Sequence, residues 1–435
     1  MKHPKHKPLL AALLTAALVL SACSDIGTPP ENSSAEESST PSLPPETQST
    51  EDTTTGEPQT VETTTEPPPL ATIKENIDYE AFDRRIEEIA DSLNAVGMGL
   101  AVFANGEVIY TVNCGYSDVG AGRLADDGTH YRSASVSKMI SAMVLMTLYD
   151  QGVLDPYSEL EELTGLPYND PSYDTPVLLW HLLTHTAGFV DSYAYDKSPS
   201  YKSSLDYVLT YSRSGYAPGT LYAYSNFGAG SVGGIIEKLT GEFFHDYADR
   251  VLFEPLGMDA GYCIDLLEDR DNTANLYEGG TLVYTTRSWG RTTKYYESYG
   301  LGNSYLTAQC ELLISPSDLA RLGIILAGDG TLDGVRVLSE EAVNAMNATY
   351  YTDESLFFDE GLAVRKYIGN FVPNRTIHGH SGQAFGCTNG LYFDPSDGTG
   401  VAICSSGCSV ATNPDNGVFL LLDKCVNEVY ATFFD

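Results

Sequence analysis

The chain has 435 residues, a length for one large domain or two interleaved ones. Hydrophobic residues make up 42%, enough for a sizeable core. With 59 acidic residues against 24 basic ones the formal net charge is −35, which excludes a phosphate-neutralising face and nucleic acid as a partner, without selecting any reaction.

Taken in chain order, Lys2, Lys5 and Lys7 precede the apolar run Leu9 to Leu20, the layout of an export signal. That run is too short to span a bilayer comfortably. It ends in Leu20-Ser21-Ala22-Cys23, which resembles the bacterial lipobox. In such proteins the cysteine takes a diacylglyceryl group and becomes the mature N-terminus, and two acyl chains give stable anchoring. Residues 1–23 are therefore expected to be a lipoprotein signal peptide with Cys23 as the lipid attachment, holding the protein on the extracytoplasmic face of the cell membrane. Residues 24–74 are rich in Ser, Thr, Pro and Glu, and Ser24 to Ile73 contains no Lys or Arg. Such a segment buries too little apolar surface to offset its ordering entropy and reads as a disordered stalk, with a reach of roughly 40 Å as a random coil.

Residues 75–435 carry the folded part. An amphipathic helix is expected over Tyr79 to Leu93, then a hairpin of Gly99 to Phe103 and Val108 to Val112 around Asn105-Gly106, a pair that tolerates positive φ. Near the C-terminus, Thr388 to Phe393 and Gly400 to Cys404 read as strands. Asn416 to Phe433 reads as a helix with Val418, Leu421, Leu422, Cys425 and Val426 on one face. The middle is mostly helical in pattern. The prediction is an α+β fold: an antiparallel sheet flanked by helices and built from both chain ends (about 75–130 and 360–435), with an inserted all-α domain over about 131–359. Seven cysteines follow Cys23, an odd number, which in an exported protein leaves at least one thiol outside intramolecular bridges. Cys263 with Cys310 is the expected bridge.

Three segments carry the chemistry. Ser135-Val-Ser-Lys138 opens a helix that runs towards Gly152 and is apolar nearly all round, so it is buried. Ser135 and Lys138, three apart, share one face at its N-terminus. Desolvation and nearby positive charge favour the neutral amine of a buried lysine, which can then activate a serine, and the helix N-terminus favours an oxyanion. A Ser-x-x-Lys spacing is weak by itself, but this one heads a buried helix. Next comes Tyr224-Ser-Asn226, the one Tyr-x-Asn in the chain. A phenol beside a lysine can shuttle protons, and the amide can hold a substrate carbonyl and the lysine together. The alternative for this segment is a surface turn with a packed aromatic. The third is Gly379-His380-Ser381-Gly382, read as opening an edge strand against which substrate backbone can lie. The backbone N–H of Gln383 would then complete an oxyanion hole with that of Ser135. His181 and His185, four apart on a short helix, have a spacing that can ligate zinc, but no Glu follows His181, and no metal or cofactor is expected.

In this order the three motifs resemble the serine β-lactamase and D-Ala-D-Ala carboxypeptidase superfamily, most nearly its class C-like branch, which also includes esterases and D-amino-acid amidases. Leu182-Leu-Thr-His-Thr-Ala-Gly188, Pro218-Gly219, Pro255-Leu-Gly-Met258, Ser317-Asp-Leu-Ala320 and Val335-Arg-Val-Leu-Ser339 agree with it. The resemblance covers roughly residues 80 to 430. It implies an α/β sandwich beside an all-α domain with the active site between them. Ser135 would be acylated, Lys138 and Tyr224 would move protons, and Asn226, His380, Ser381, Gly382 and Gln383 would line the substrate. His380 stands where many members carry the lysine of a Lys-Thr-Gly motif. A lysine there offers a permanent charge to a substrate carboxylate. A histidine, with an ordinary pKa near 6.5, offers one only as the pH falls, which disfavours efficient β-lactam hydrolysis.

The reading is thus an extracytoplasmic serine hydrolase working through an acyl-enzyme, foremost a D,D-carboxypeptidase or related D-amino-acid peptidase acting on a small-molecule or peptide substrate such as a peptidoglycan stem peptide. A small-ester hydrolase or a weak β-lactamase is the alternative within the class. A penicillin-binding or sensor protein that does not turn over is the alternative outside it.

Overall fold

The computed structural model describes residues 70–434. The signal peptide, Cys23 and nearly all of the stalk lie outside the described residues. Helix α1 (Tyr79–Ser92) is capped by Asp78, whose carboxylate accepts from the Ala81 N–H, and it buries Phe82, Ile86 and Ala90. The hairpin follows as β1 (Gly97–Ala104) and β2 (Glu107–Asp118). Both turn residues have positive φ, 55° at Asn105 and 81° at Gly106, the conformation for which Asn-Gly is suited. A short β3 (Arg123–Leu124) ends this part of the sheet.

The sheet is completed from the other end of the chain by β4 (Asp359–Glu360), β5 (Arg365–Ile368), β6 (Thr376–Ala384), β7 (Cys387–Asp394) and β8 (Thr399–Ser406). Among the described residues it has eight strands in the order β4-β5-β6-β7-β8-β1-β2-β3, all antiparallel. The two chain ends meet at β1 and β8, where Leu100 lies opposite Ile403 and Val102 opposite Val401. Alternation along β1 divides the core: Leu100 and Val102 face one side, Ala101 and Phe103 the other. The first side is covered by α1 and by the C-terminal helix α6 (Leu420–Phe433). That helix begins four residues later than the apolar pattern implies. Asn416 accepts from the Val418 N–H and donates to Asp423, and Gly417 takes φ 72°, so the chain turns before the helix starts.

The second side packs on the insertion. Here α2 (Val136–Asp150) is buried at every position from Val136 to Leu148. Beyond it lie α3 (Asn226–Gly230) and α4 (Val232–Thr240), and α5 (Pro316–Ala327) lies directly on the sheet. The insertion is mainly helical, with short two-stranded ladders such as Tyr131–Arg132 against Leu313–Ile314. Among the described residues no helix is long and apolar enough to cross a membrane.

No disulfide forms among the described residues, so the expected Cys263–Cys310 bridge is absent. The Cys310 thiol is held elsewhere: its Sγ accepts from Arg132 Nη2 at 3.0 Å, and Arg132 also pairs with Glu311 at 2.9 Å.

Candidate active site

The site forms where the N-terminus of α2 meets β6 and the segment leading into α3. Ala134 enters the helix at φ 49°, a region sparsely populated by non-glycine residues. Ser135 follows at the N-cap, yet its hydroxyl makes no capping bond. Its Oγ lies 3.0 Å from Lys138 Nζ and 2.9 Å from the Tyr224 hydroxyl. Lys138, 3% exposed, also donates to Asn226 Oδ1 at 2.9 Å and to the Gln309 carbonyl at 3.0 Å. Its Nζ lies 5.1 Å from the centre of the Tyr224 ring. Four of the residues singled out from sequence thus form one hydrogen-bonded group, drawn from two segments about 90 residues apart.

The segment Tyr222 to Asn226 is held by neighbours that few sequence signals announce. His185, at φ 57°, clamps it: the Ala223 N–H donates to the His185 carbonyl at 2.8 Å and the Ser225 N–H to His185 Nδ1 at 3.2 Å. The His185 ring lies 4.2 Å from that of Tyr224. His181 Nδ1 likewise accepts from the Leu178 N–H at 3.0 Å. The spacing that suggested zinc therefore places both rings on backbone amides. Burial depresses both imidazoles, His181 to about 4 and His185 well below its ordinary value, with Lys138 and Arg365 adding to the effect on His185. Asp191 sits behind Asn226 and accepts from three donors there. Nothing distinguishes it among the acidic residues of the sequence, and Gln309 contributes only a carbonyl that any residue could supply.

Strand β6 is interior to the sheet over its first half only. Its first half is covered by β5, whose pairing ends at Arg365 opposite Gly379. From His380 onward no strand among the described residues pairs on that side, so the edge begins at the motif itself. Gly382 packs against the start of α2: a Cβ there would lie 2.4 Å from the Ser133 carbonyl oxygen and 2.8 Å from the Ser135 nitrogen. Only glycine lets the strand approach so closely. By the pleat, Ser381 and Gln383 point their side chains to the other face and offer Ser135 only their backbone.

His380 departs from the sequence expectation. It is 2% exposed, and its Nδ1–H donates to the Ser381 carbonyl at 2.6 Å. Burial, with Arg365 and Lys138 nearby, pushes its pKa well below 6.5. The imidazolium that would greet a substrate carboxylate near pH 6.5 is therefore disfavoured. The fixed positive charge on this wall is Arg365, one strand away. Its guanidinium lies 5.6 Å from the Tyr224 ring and 4.5 Å from that of Phe358, and it donates to the Tyr222 hydroxyl at 3.3 Å. Glu360 lies 3.5 Å from it, and burial pushes that carboxyl up to about 7 against the pull of Arg365.

Comparison with known proteins finds relatives of the chain. The beta-lactamase family model matches residues 82–416. Penicillin-binding protein 4 of Amycolatopsis lactamdurans is 25% identical over 348 residues, covering 77% of this chain and 87% of that protein. A beta-lactamase of Yersinia enterocolitica is 30% identical over 194 residues, 44% of this chain and 48% of its own length, so the chain spans about half of it. Among solved structures, a penicillin-binding protein homologue from Caulobacter crescentus superposes with a TM-score of 0.65 at 18% identity, covering 83% of this chain and 99% of that one, a likeness of fold. With the match running through both halves of the sheet and the whole insertion, the chain belongs to the beta-lactamase family and is a serine hydrolase of that superfamily.

Proposed function

We propose that the protein is an extracytoplasmic, lipid-anchored hydrolase that works through an acyl-enzyme on Ser135, and that its substrates are peptides ending in a D-amino-acid carboxylate. The observation that carries this is the convergence of Lys138 Nζ at 3.0 Å and the Tyr224 hydroxyl at 2.9 Å on one serine oxygen. Lys138 takes the Ser135 proton as Oγ attacks the substrate carbonyl carbon. The backbone N–H groups of Ser135 and Gln383 hold the resulting oxyanion. Tyr224 passes a proton to the leaving amine as the C–N bond breaks, and water then cleaves the Ser135 ester to release the acid. Asn226 orients the substrate carbonyl.

Arg365, not His380, supports the choice of a carboxylate substrate, because its charge persists at every working pH. Purified protein assayed against D-Ala-D-Ala peptides, cephalosporins and short-chain esters tests the substrate class. Faster turnover of esters than of D-peptides would contradict it. The lifetime of a labelled acyl adduct separates hydrolase from sensor, since rapid loss is expected and indefinite retention would mean that the protein does not turn over. The anchor rests on the Leu20-Ser21-Ala22-Cys23 motif. Cys23→Ser should leave the membrane fraction once exported, and a variant that still sediments with membranes would defeat that part.

A further inference from the structure

Among the described residues Asp191 is the carboxylate bonded to the Tyr224–Asn226 segment, and the bonds it accepts are asymmetric. Its Oδ1 takes the Ser225 hydroxyl at 3.0 Å and the Phe227 N–H at 2.9 Å, while its Oδ2 takes Asn226 Nδ2 at 2.9 Å. A carboxylate only accepts, so the Asn226 amide must turn its nitrogen to Asp191 and its oxygen the other way. That oxygen is the one 2.9 Å from Lys138 Nζ.

The consequence for the lysine is a matter of counting. In the neutral form that the acyl-enzyme reading requires of Lys138, the amine has two N–H bonds and one lone pair. Two of its three neighbours, Asn226 Oδ1 and the Gln309 carbonyl, can only accept. In that form both N–H bonds are committed to them, which leaves the lone pair for the third neighbour, Ser135 Oγ, 3.0 Å away. Were the Asn226 amide reversed, its N–H would face Lys138 and compete with Ser135 for the lone pair.

Resting on the acyl-enzyme reading above, we infer that Asp191 is a positioning residue: by fixing the Asn226 amide it aims the basic lone pair of Lys138 at Ser135. Asp191→Asn should invert the arrangement at nearly constant shape. The new amide would keep its oxygen on the Ser225 and Phe227 donors and turn its nitrogen towards Asn226, which must then flip. Placing a carboxylate at 226 in that background, Asp191→Asn with Asn226→Asp, restores an acceptor facing Lys138, and because its charge favours the ammonium form the rescue is read at alkaline pH.

The experiment measures acylation of Ser135 by p-nitrophenyl acetate, followed as the burst of p-nitrophenol, with thermal melting as the check on folding. Asp191→Asn is expected to acylate about a hundredfold more slowly, the size of a lost proton-transfer contribution. Asn226→Asp alone sets two carboxylates against each other and should also be slow. The double variant should be at least about tenfold faster than either single one. This rescue is the signature, because damage that is merely structural would accumulate in the double variant, and the ranking holds even if one single variant folds poorly. A wild-type rate in Asp191→Asn, or a double variant no faster than the singles, would overturn the inference while leaving the acyl-enzyme reading in place. A wild-type protein that shows no acylation at Ser135 would overturn both.

Discussion

Arg365 and His380 show how far a residue's role depends on its surroundings. Sequence presents His380 as the candidate cation, because it stands at the motif position and nothing marks Arg365. Folding reverses this: His380 is sealed and held neutral, while Arg365 lies beside the rings of Tyr224 and Phe358 and within salt-bridge reach of Glu360. Arg365→Gln should therefore lower kcat/KM for carboxylate-bearing substrates by about ten- to a hundredfold, the range of a hydrogen bond to a charged group, and leave neutral esters within a few fold. Comparing both substrates on the one variant cancels damage common to the two. Equal losses would assign Arg365 to shaping the wall. Ser135, Lys138, Tyr224 and Asn226 were legible because their spacing places them on one helix face and one turn. Asp191, Gln309 and Arg365 were not, since their roles come from long-range packing.

At the scale of elements, the hairpin and the terminal helices follow from local chemistry: a positive-φ turn pair, period-two alternation and a clear apolar face. The interior placement of β6 does not, because β5 is only four residues long and its pairing stops at Gly379. What local sequence does give at β6 is the glycine. Gly382→Ala would push a methyl group to 2.4 Å from the Ser133 carbonyl oxygen, and that neighbour is backbone at the root of a helix buried from Val136 to Leu148. The strand must retreat from α2. The expected outcome is about 1–3 kcal/mol of lost stability together with a fall in acylation rate of at least about tenfold. Urea unfolding and the acetate burst measure the two effects. Full activity in Gly382→Ala would mean that β6 has no part in the reaction centre.

For the whole molecule, the acidic surface suggests a protein that gains stability on mild acidification, but the buried histidines work the other way. His378 is 6% exposed, its Nδ1–H donates to Asn347 Oδ1 at 2.7 Å, and burial with help from Lys366 lowers it to about 3. The folded protein keeps it neutral while the unfolded chain takes up a proton below about 6.5. Stability is therefore lost as the pH falls from about 6.5 towards 3, at up to about 1.4 kcal/mol per unit for this one group. His181, lowered to about 4, acts in the same direction. Glu237 and Glu360, both pushed up to about 7 by burial, act oppositely: their contribution is present below about 4.5 and lost as the pH rises through 7. Comparing the wild type with His378→Gln cancels those carboxyls. The variant should show a shallower fall in melting temperature between pH 7 and pH 4.5, and parallel curves would show that His378 is not held neutral by the fold.

All three scales converge on Ser135, where the helix, the strand and the Tyr224–Asn226 turn meet. The most direct test of the account is to quench the reaction with an acylating substrate during turnover and locate the adduct by peptide mass spectrometry. The account predicts an acyl group on the peptide containing Ser135, lost again as product forms, and neither adduct nor turnover in Ser135→Ala. Turnover that persists in Ser135→Ala, or an adduct on any other residue, would contradict it.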